Sequence, residues 1–203
     1  MKDFPIFPCS DGVASLILNE IPHRGEAYIL IRSVFGSPER LLRECGDFCR
    51  GAGAEKIYVS GEADLSLLPV YARLTERSLE KALLPQTSAR AELTEDPEWT
   101  ALYNQSFRQV HAAKTYEKTP ENAYFIYDGS ERIGLGQLID DELAAVASLK
   151  KGYGQDCVCA LAEKICQKRV KLLCAEENLP ASRLYDRLGF TREKVKRVWY
   201  LYR

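Results

Sequence analysis

Apolar positions along the chain change period several times, and each change marks a boundary. Val13–Asn19 and Ala27–Phe35 are rich in Ile, Leu, Val and Tyr and predict strands. Ile21-Pro22-His23-Arg24-Gly25 between them has turn chemistry. Ser37-Pro38-Glu39 then reads as a helix start, with Ser37 as cap and Pro38 at the first helical position. That helix would carry Leu41, Leu42, Cys45, Phe48 and Cys49 on one face and end at Gly51-Ala52-Gly53, with a strand at Lys56–Ser60.

After a polar stretch near Leu84–Ala89 the alternation resumes. Ala89–Leu93 predicts a strand and Pro97–Val110 a helix, with Trp99, Leu102, Tyr103 and Phe107 at helical spacing. Ala123–Tyr127 and Arg132–Ile139 flank Asp128-Gly129, a hairpin signal. A strand at Glu142–Leu149 runs into Lys150-Lys151-Gly152-Tyr153-Gly154 and a helix reaching about Lys168. Val170–Ala175 then predicts a strand, Ala181–Leu188 a short helix and Val195–Tyr202 a final strand. Strands interrupted by helices at this spacing predict a mixed α/β fold. The expected division is 1–86 and 87–203.

Composition narrows the class without naming it. The 203 residues, 46% hydrophobic and 28% charged, can bury a real core. With 28 basic against 29 acidic side chains, nothing suggests a general nucleic-acid binder. No stretch approaches the roughly 20 apolar residues needed to span a bilayer, and Met1–Val13 lacks an apolar signal core. The seven cysteines form no CxxC pair and only His23 and His111 accompany them. They therefore read as reduced, mostly buried thiols of a cytoplasmic protein, with no metal site.

Chemistry concentrates between Val146 and Phe190. A strand that enters a Gly-rich turn and opens a helix leaves several backbone N–H groups without partners at the positive end of the helix dipole. Such a turn binds an anion, and a pyrophosphate suits it. Side chains at Gly152 or Gly154 would block close approach. The Walker and Rossmann glycine patterns are both absent.

The second block reads Asn178, Ala181, Leu184-Tyr185 and Leu188-Gly189-Phe190. With Lys151-x-x-Gly154 upstream, in order and at the usual separation, it resembles the signature of the GNAT superfamily of acyl-CoA N-acyltransferases. The likeness extends over Ala89–Arg203. It implies the GNAT acyl-CoA N-acyltransferase fold, here preceded by a partial, degenerate GNAT-like region. It also implies that strands Glu142–Leu149 and Val170–Ala175 splay to admit the pantetheine arm of acetyl-CoA. Amides near Ala144 and Val146 would bond pantetheine and the acyl carbonyl. Those of Lys151, Gly152, Tyr153, Gly154, Gln155, Asp156 and Cys157 would hold the pyrophosphate. Asn178 would order the pantetheine side, and Tyr185 would protonate the departing thiolate.

The implied reaction is direct attack of a primary amine, on a small molecule or a protein, at the thioester. A lysine-like amine has a pKa of about 10.4 and must lose a proton first. Glu142 is the leading acceptor of that proton, beside Glu176 and His111. Two positions depart from the family pattern: Asp156 replaces a Gly or Ala, and Lys151 an Arg or Gln. They leave open a non-catalytic CoA-binding or regulatory module. The expected partners are acetyl-CoA and an amine acceptor, with no metal, nucleic acid or membrane, the chain working as a monomer or homodimer.

The first region holds an echo of this block. Glu62–Leu74 and Glu176–Leu188 share five of thirteen residues without a gap, including Tyr71 and Tyr185. Residues from about 13 to 85 therefore read as a degenerate partial copy, expected to pack on the second region and shape the acceptor cleft. Pro38, which lacks an N–H, stands near where the Gly-rich turn would fall, so this region is not expected to bind CoA.

Overall fold

The computed structural model describes residues 5–61 and 63–203. The described residues fall into two compact units, those up to Arg73 together with Arg197–Arg203, and Leu74–Lys196. The division falls inside a strand rather than at the expected 86/87.

The first unit begins with β1 (Ile6–Cys9), β2 (Gly12–Ile17), α1 (Ile21–Arg24) and β3 (Glu26–Val34), followed by α2 (Pro38–Gly51) and β4 (Lys56–Gly61). Its sheet order is β1-β2-β3-β4, completed by the end of the last strand of the chain, where Tyr200 and Tyr202 pair with Val59 and Ile57. Ser37 caps α2, its Oγ accepting from the Arg40 N–H, and Pro38 stands at the start as expected. Leu41, Leu42, Cys45 and Cys49 bury one face of α2 against Ala14, Ile29 and Val59. Each buried leucine contributes on the order of 2 kcal/mol.

β5 (Val70–Glu80) leads into the second unit. There follow β6 (Arg90–Leu93), α3 (Pro97–Phe107), β7 (Ala123–Asp128), β8 (Glu131–Ile139) and β9 (Glu142–Ser148). The remainder is α4 (Gly154–Ala162), β10 (Arg169–Ala175), α5 (Leu179–Leu188) and β11 (Thr191–Tyr202). The unit's strand order is β5-β10-β9-β8-β7-β6, in which β9 and β10 are parallel and the other pairs antiparallel. Gly129 turns the β7–β8 hairpin at φ 59°.

Beyond its first turn α4 is apolar: Cys157 to Ala162 are all buried. It lies directly on β8, because Cβ atoms added at Gly134 and Gly136 would meet Cys157 Sγ at 2.3 Å and Leu161 Cδ2 at 2.4 Å. The helix stops at Ala162, short of the expected Lys168, where Lys81 Nζ donates to the carbonyls of Glu163 and Ile165. On the other side of the sheet, Trp99 and Tyr103 of α3 stack at 4.9 Å over Phe125, Leu135 and Ala145.

The first-region counterpart of α5 is not a helix. Residues 66–68 make a turn, Tyr71 belongs to β5, and Glu62 lies outside the described residues. In the proposed alignment Pro69 would occupy the position of Arg183, inside α5, where a proline removes an N–H and clashes with the preceding turn. A strand-helix-strand unit with parallel strands does recur, as β3-α2-β4 and as β9-α4-β10.

Candidate functional site

The two parallel pairs differ in how far they stay joined. β3 and β4 pair at six successive positions, from Glu26 with Lys56 to Ile31 with Gly61. β9 and β10 pair at one, Leu143 with Leu172. Immediately beyond it the β8–β9 register shifts: Leu138 faces Leu143 but Gln137 faces Ala145, so Ala144 is an extra, unpaired residue. A bulge re-aims the backbone groups it leaves unpaired. The second unit thus has a wedge between parallel strands, with a bulge at its apex.

β9 is followed by Leu149-Lys150-Lys151-Gly152. Gly152 has φ 99°, a conformation that favours glycine, and it turns the chain so that Tyr153 precedes α4 without any side-chain cap. The N–H groups of Gly154, Gln155 and Asp156 have no acceptor within the helix. They stand at a cleft of about 450 Å³. Lys151, Gly152, Gly154 and Gln155 line one side, and Pro180, Leu184 and Arg187 of α5 the other. Lys150 is spent on Glu131, an ion pair beside the cleft, whereas Lys151 is exposed at it. Arg187 was not singled out from the sequence. Its i+3 spacing from Leu184 on the exposed side of α5 was the available signal.

Other expected residues stand away from this cleft. Tyr153 packs against the core formed by α4 and α5. Asp156 turns towards the loop before β6, where Thr87 Oγ1 donates to its Oδ1 at 2.8 Å. In the first turn of α4, its carboxylate also suits the helix dipole. Asn178 caps α5, with Oδ1 accepting from the Ala181 N–H at 3.4 Å.

Ala144 is the bulge residue of β9, and Val146 lies between it and the turn. Glu142 begins the same strand, half-buried, six residues before Ser148 and therefore roughly 20 Å from the turn. Glu176 accepts a hydrogen bond from Thr75 at 2.7 Å, which ties it to β5. His111 follows α3 in a turn and is half-buried. Val110 is likewise outside the helix, which ends at Phe107.

Tyr185 faces inward from α5, 5.5 Å from Phe190 in an edge-on contact. Burial pushes its phenol well above the usual range, Cys174 adds to the rise, and Arg77 opposes it. The hydroxyl therefore stays protonated, the form that can donate. Burial likewise pushes Cys157 and Cys159 up to about 12 and about 11, which suits packing rather than nucleophilic chemistry. Among the described residues no cluster of three or more His, Cys, Asp or Glu could hold a metal. No helix among them is long and apolar enough to cross a membrane.

A wedge between two parallel strands, a bulge at its apex and a glycine turn opening the following helix define the acyl-CoA N-acyltransferase class of folds. The chain shares the fold of solved GNAT N-acetyltransferase structures. The model of the FR47-like protein family matches residues 142–200, which begin at β9 and end within β11.

Solved structures similar in fold cover nearly the whole chain. A functionally unknown conserved protein from Staphylococcus epidermidis has a TM-score of 0.64 at 11% identity, covering 98% of this chain and 93% of that one. A GCN5-related N-acetyltransferase from Kribbella flavida has a TM-score of 0.56 at 14% identity, covering 98% and 89%. A tandem GNAT protein from the clavulanic acid biosynthesis pathway has a TM-score of 0.52 at 12% identity, covering 94% and 78%. No curated protein sequence matches the chain.

Proposed function

We propose that the chain is an acyl-CoA-dependent N-acetyltransferase, moving an acetyl group from acetyl-CoA to a primary amine of a small molecule or protein. The observation that carries this reading is the wedge of β9 and β10, with the Ala144 bulge at its apex and the uncapped turn of α4 at its mouth.

In this reading the pantetheine arm enters the wedge like a missing strand, bonding the amides of Ala144 and Val146. The pyrophosphate rests on the first turn of α4, with Lys151 and Arg187 supplying positive charge. Asp156 is held by Thr87, away from that position. Asn178 fixes the start of α5 and so the wall that carries Tyr185. The amine attacks the thioester carbon directly, so no covalent enzyme nucleophile is needed. A strand amide at the bulge stabilises the oxyanion, Tyr185 protonates the departing sulfur, and Glu142 accepts the amine's proton, directly or through water. Reduced thiols fit a cytoplasmic location.

The first unit serves as scaffold. β4 stays paired with β3 along its whole length. The N-terminus of α2 holds its own anion: Asp11 Oδ1 accepts from the Ser37 N–H at 3.1 Å and from Arg40 at 2.7 Å. Acetyl-CoA should therefore bind with one site per chain.

Calorimetry with acetyl-CoA, followed by thiol release across a panel of primary amines, tests the assignment. Absence of binding overturns it. Binding without turnover across the panel assigns the chain instead as a non-catalytic CoA-binding module.

A further inference from the structure

Arg77 stands on β5 opposite Leu172 of β10, outside the segment that the family model matches. It is fully buried. Removing a guanidinium from water costs several kcal/mol unless its donors are met, so its partners are informative. Nη1 donates to Asp186 Oδ1 at 2.5 Å and to the Ser182 carbonyl at 3.5 Å, and Nη2 donates to Ser182 Oγ at 3.1 Å. All these acceptors lie on α5, three residues before Tyr185 and one after it. The guanidinium carbon is 6.0 Å from the centre of the Tyr185 ring. Nε is buried with no partner among the described residues. A side chain kept only to pin a helix would more simply be apolar, since well-packed hydrophobic residues replace buried ion pairs at little cost.

We propose that Arg77 is a positioning residue for Tyr185, gripping α5 on both sides of it and holding a fixed positive charge beside the phenol. The proposal rests on the acetyl-transfer reading above. As the nitrogen–carbon bond forms and the carbon–sulfur bond breaks, the electron pair leaves on sulfur, which takes the proton of Tyr185. The phenolate left behind faces Arg77 until solvent returns a proton. The other groups around it work against this charge or carry none: Cys174 of β10, Asp186 of α5, itself bridged by Arg192 of β11, and the Phe190 ring. Arg77 is the cation that favours the transient anion.

The test is a double-mutant cycle with hydroxylamine as acceptor, which is already neutral at the assay pH and so bypasses the base. CoA release is followed in wild type, Arg77→Met, Tyr185→Phe and the double variant. Arg77→Met should lower kcat about tenfold while changing the acetyl-CoA KM less than about twofold, and should lower it no further in the Tyr185→Phe background. Arg77→Lys should recover part of the loss. Equal losses in both backgrounds, or a raised KM at unchanged kcat, overturn the proposal.

An unchanged kcat in Tyr185→Phe removes the acid role and this proposal with it, leaving acetyl transfer intact. No release above the uncatalysed rate in wild type overturns the transfer reading as well. Should Arg77→Met fail to fold, Arg77→Lys and Asp186→Asn complete the cycle under the same criterion.

Discussion

Leu143 and Leu172 face each other as the one parallel register position that joins β9 to β10. Both side chains are buried in the core beneath α4 and α5, so the joint is anchored where the strands touch and free where they part. The wedge follows from this: on one side of the pair Ala144 bulges out of the β8 register, and beyond it each strand runs to a helix start. The helix starts differ in a way that suits a long ligand, α4 without a side-chain cap and α5 capped by Asn178.

A side chain at Gly154 should close the phosphate end. A Cβ there already lies 3.2 Å from Leu184 Cδ2, and the branches of valine would extend into the cleft. Gly154→Val should weaken acetyl-CoA binding at least tenfold, about 1.4 kcal/mol, with little change in melting temperature. Unchanged affinity by calorimetry would remove the turn from the cofactor site.

The seat of α4 on β8 predicts a stability effect away from the cleft. In Gly134→Ala the new Cβ meets Cys157 Sγ at 2.3 Å and the Ala147 carbonyl oxygen at 2.8 Å. Overpacking of this kind costs about 1–3 kcal/mol, measurable by denaturant titration. Adding Cys157→Ala should recover part of the loss by removing the sulfur, though the carbonyl contact remains.

Thiol reactivity should separate one cysteine from the rest. Cys166 is exposed, Cys9 half-buried, and the other five are buried. Burial raises Cys45, Cys49, Cys157, Cys159 and Cys174 above the ordinary thiol range. A thiol reagent should therefore label one fast site in the folded protein, and Cys166→Ser should abolish the fast phase. Persistence of that phase would contradict the burial of the remaining cysteines.

Acid should loosen α5 through Asp186. Arg77, and then Arg192, hold this carboxyl below its ordinary value. A carboxylate depressed in the folded state adds stability above its unfolded pKa of about 3.9, and loses it as pH falls through the lower folded value. Melting temperatures followed downward from about pH 6 should decline more steeply in wild type than in Asp186→Asn. Equal slopes would mean that the Arg77 pair contributes nothing to acid sensitivity.

Sequence and structure agree best where local chemistry decides the backbone. Ser37-Pro38 starts α2, Asp128-Gly129 marks a hairpin, and the glycines of residues 152–154 turn β9 into α4. β5 was not legible. Its run from Val70 to Glu80 is interrupted by Arg73, Glu76 and Arg77. In the structure Glu76 pairs with Lys196 and Arg77 with Asp186, partners more than 100 residues away that no local pattern reveals. The echo misled for a related reason: identities at single positions did not weigh the helix-breaking Pro69. Asp156 looked like a misplaced charge until Thr87, far upstream, supplied its partner.

β11 begins in the second unit and ends in the first, where Tyr200, Leu201 and Tyr202 pair with Val59, Tyr58 and Ile57. Tyr202 also lies against Gly46 of α2, whose Cβ position is 2.5 Å from the ring. During synthesis, therefore, the first part of the chain emerges long before the residues that finish its sheet. Until they leave the ribosome, β4 presents a bare strand edge, the kind of surface that invites wrong pairing. The first unit is complete only after the second has been made, and its folding waits on a closure of high contact order.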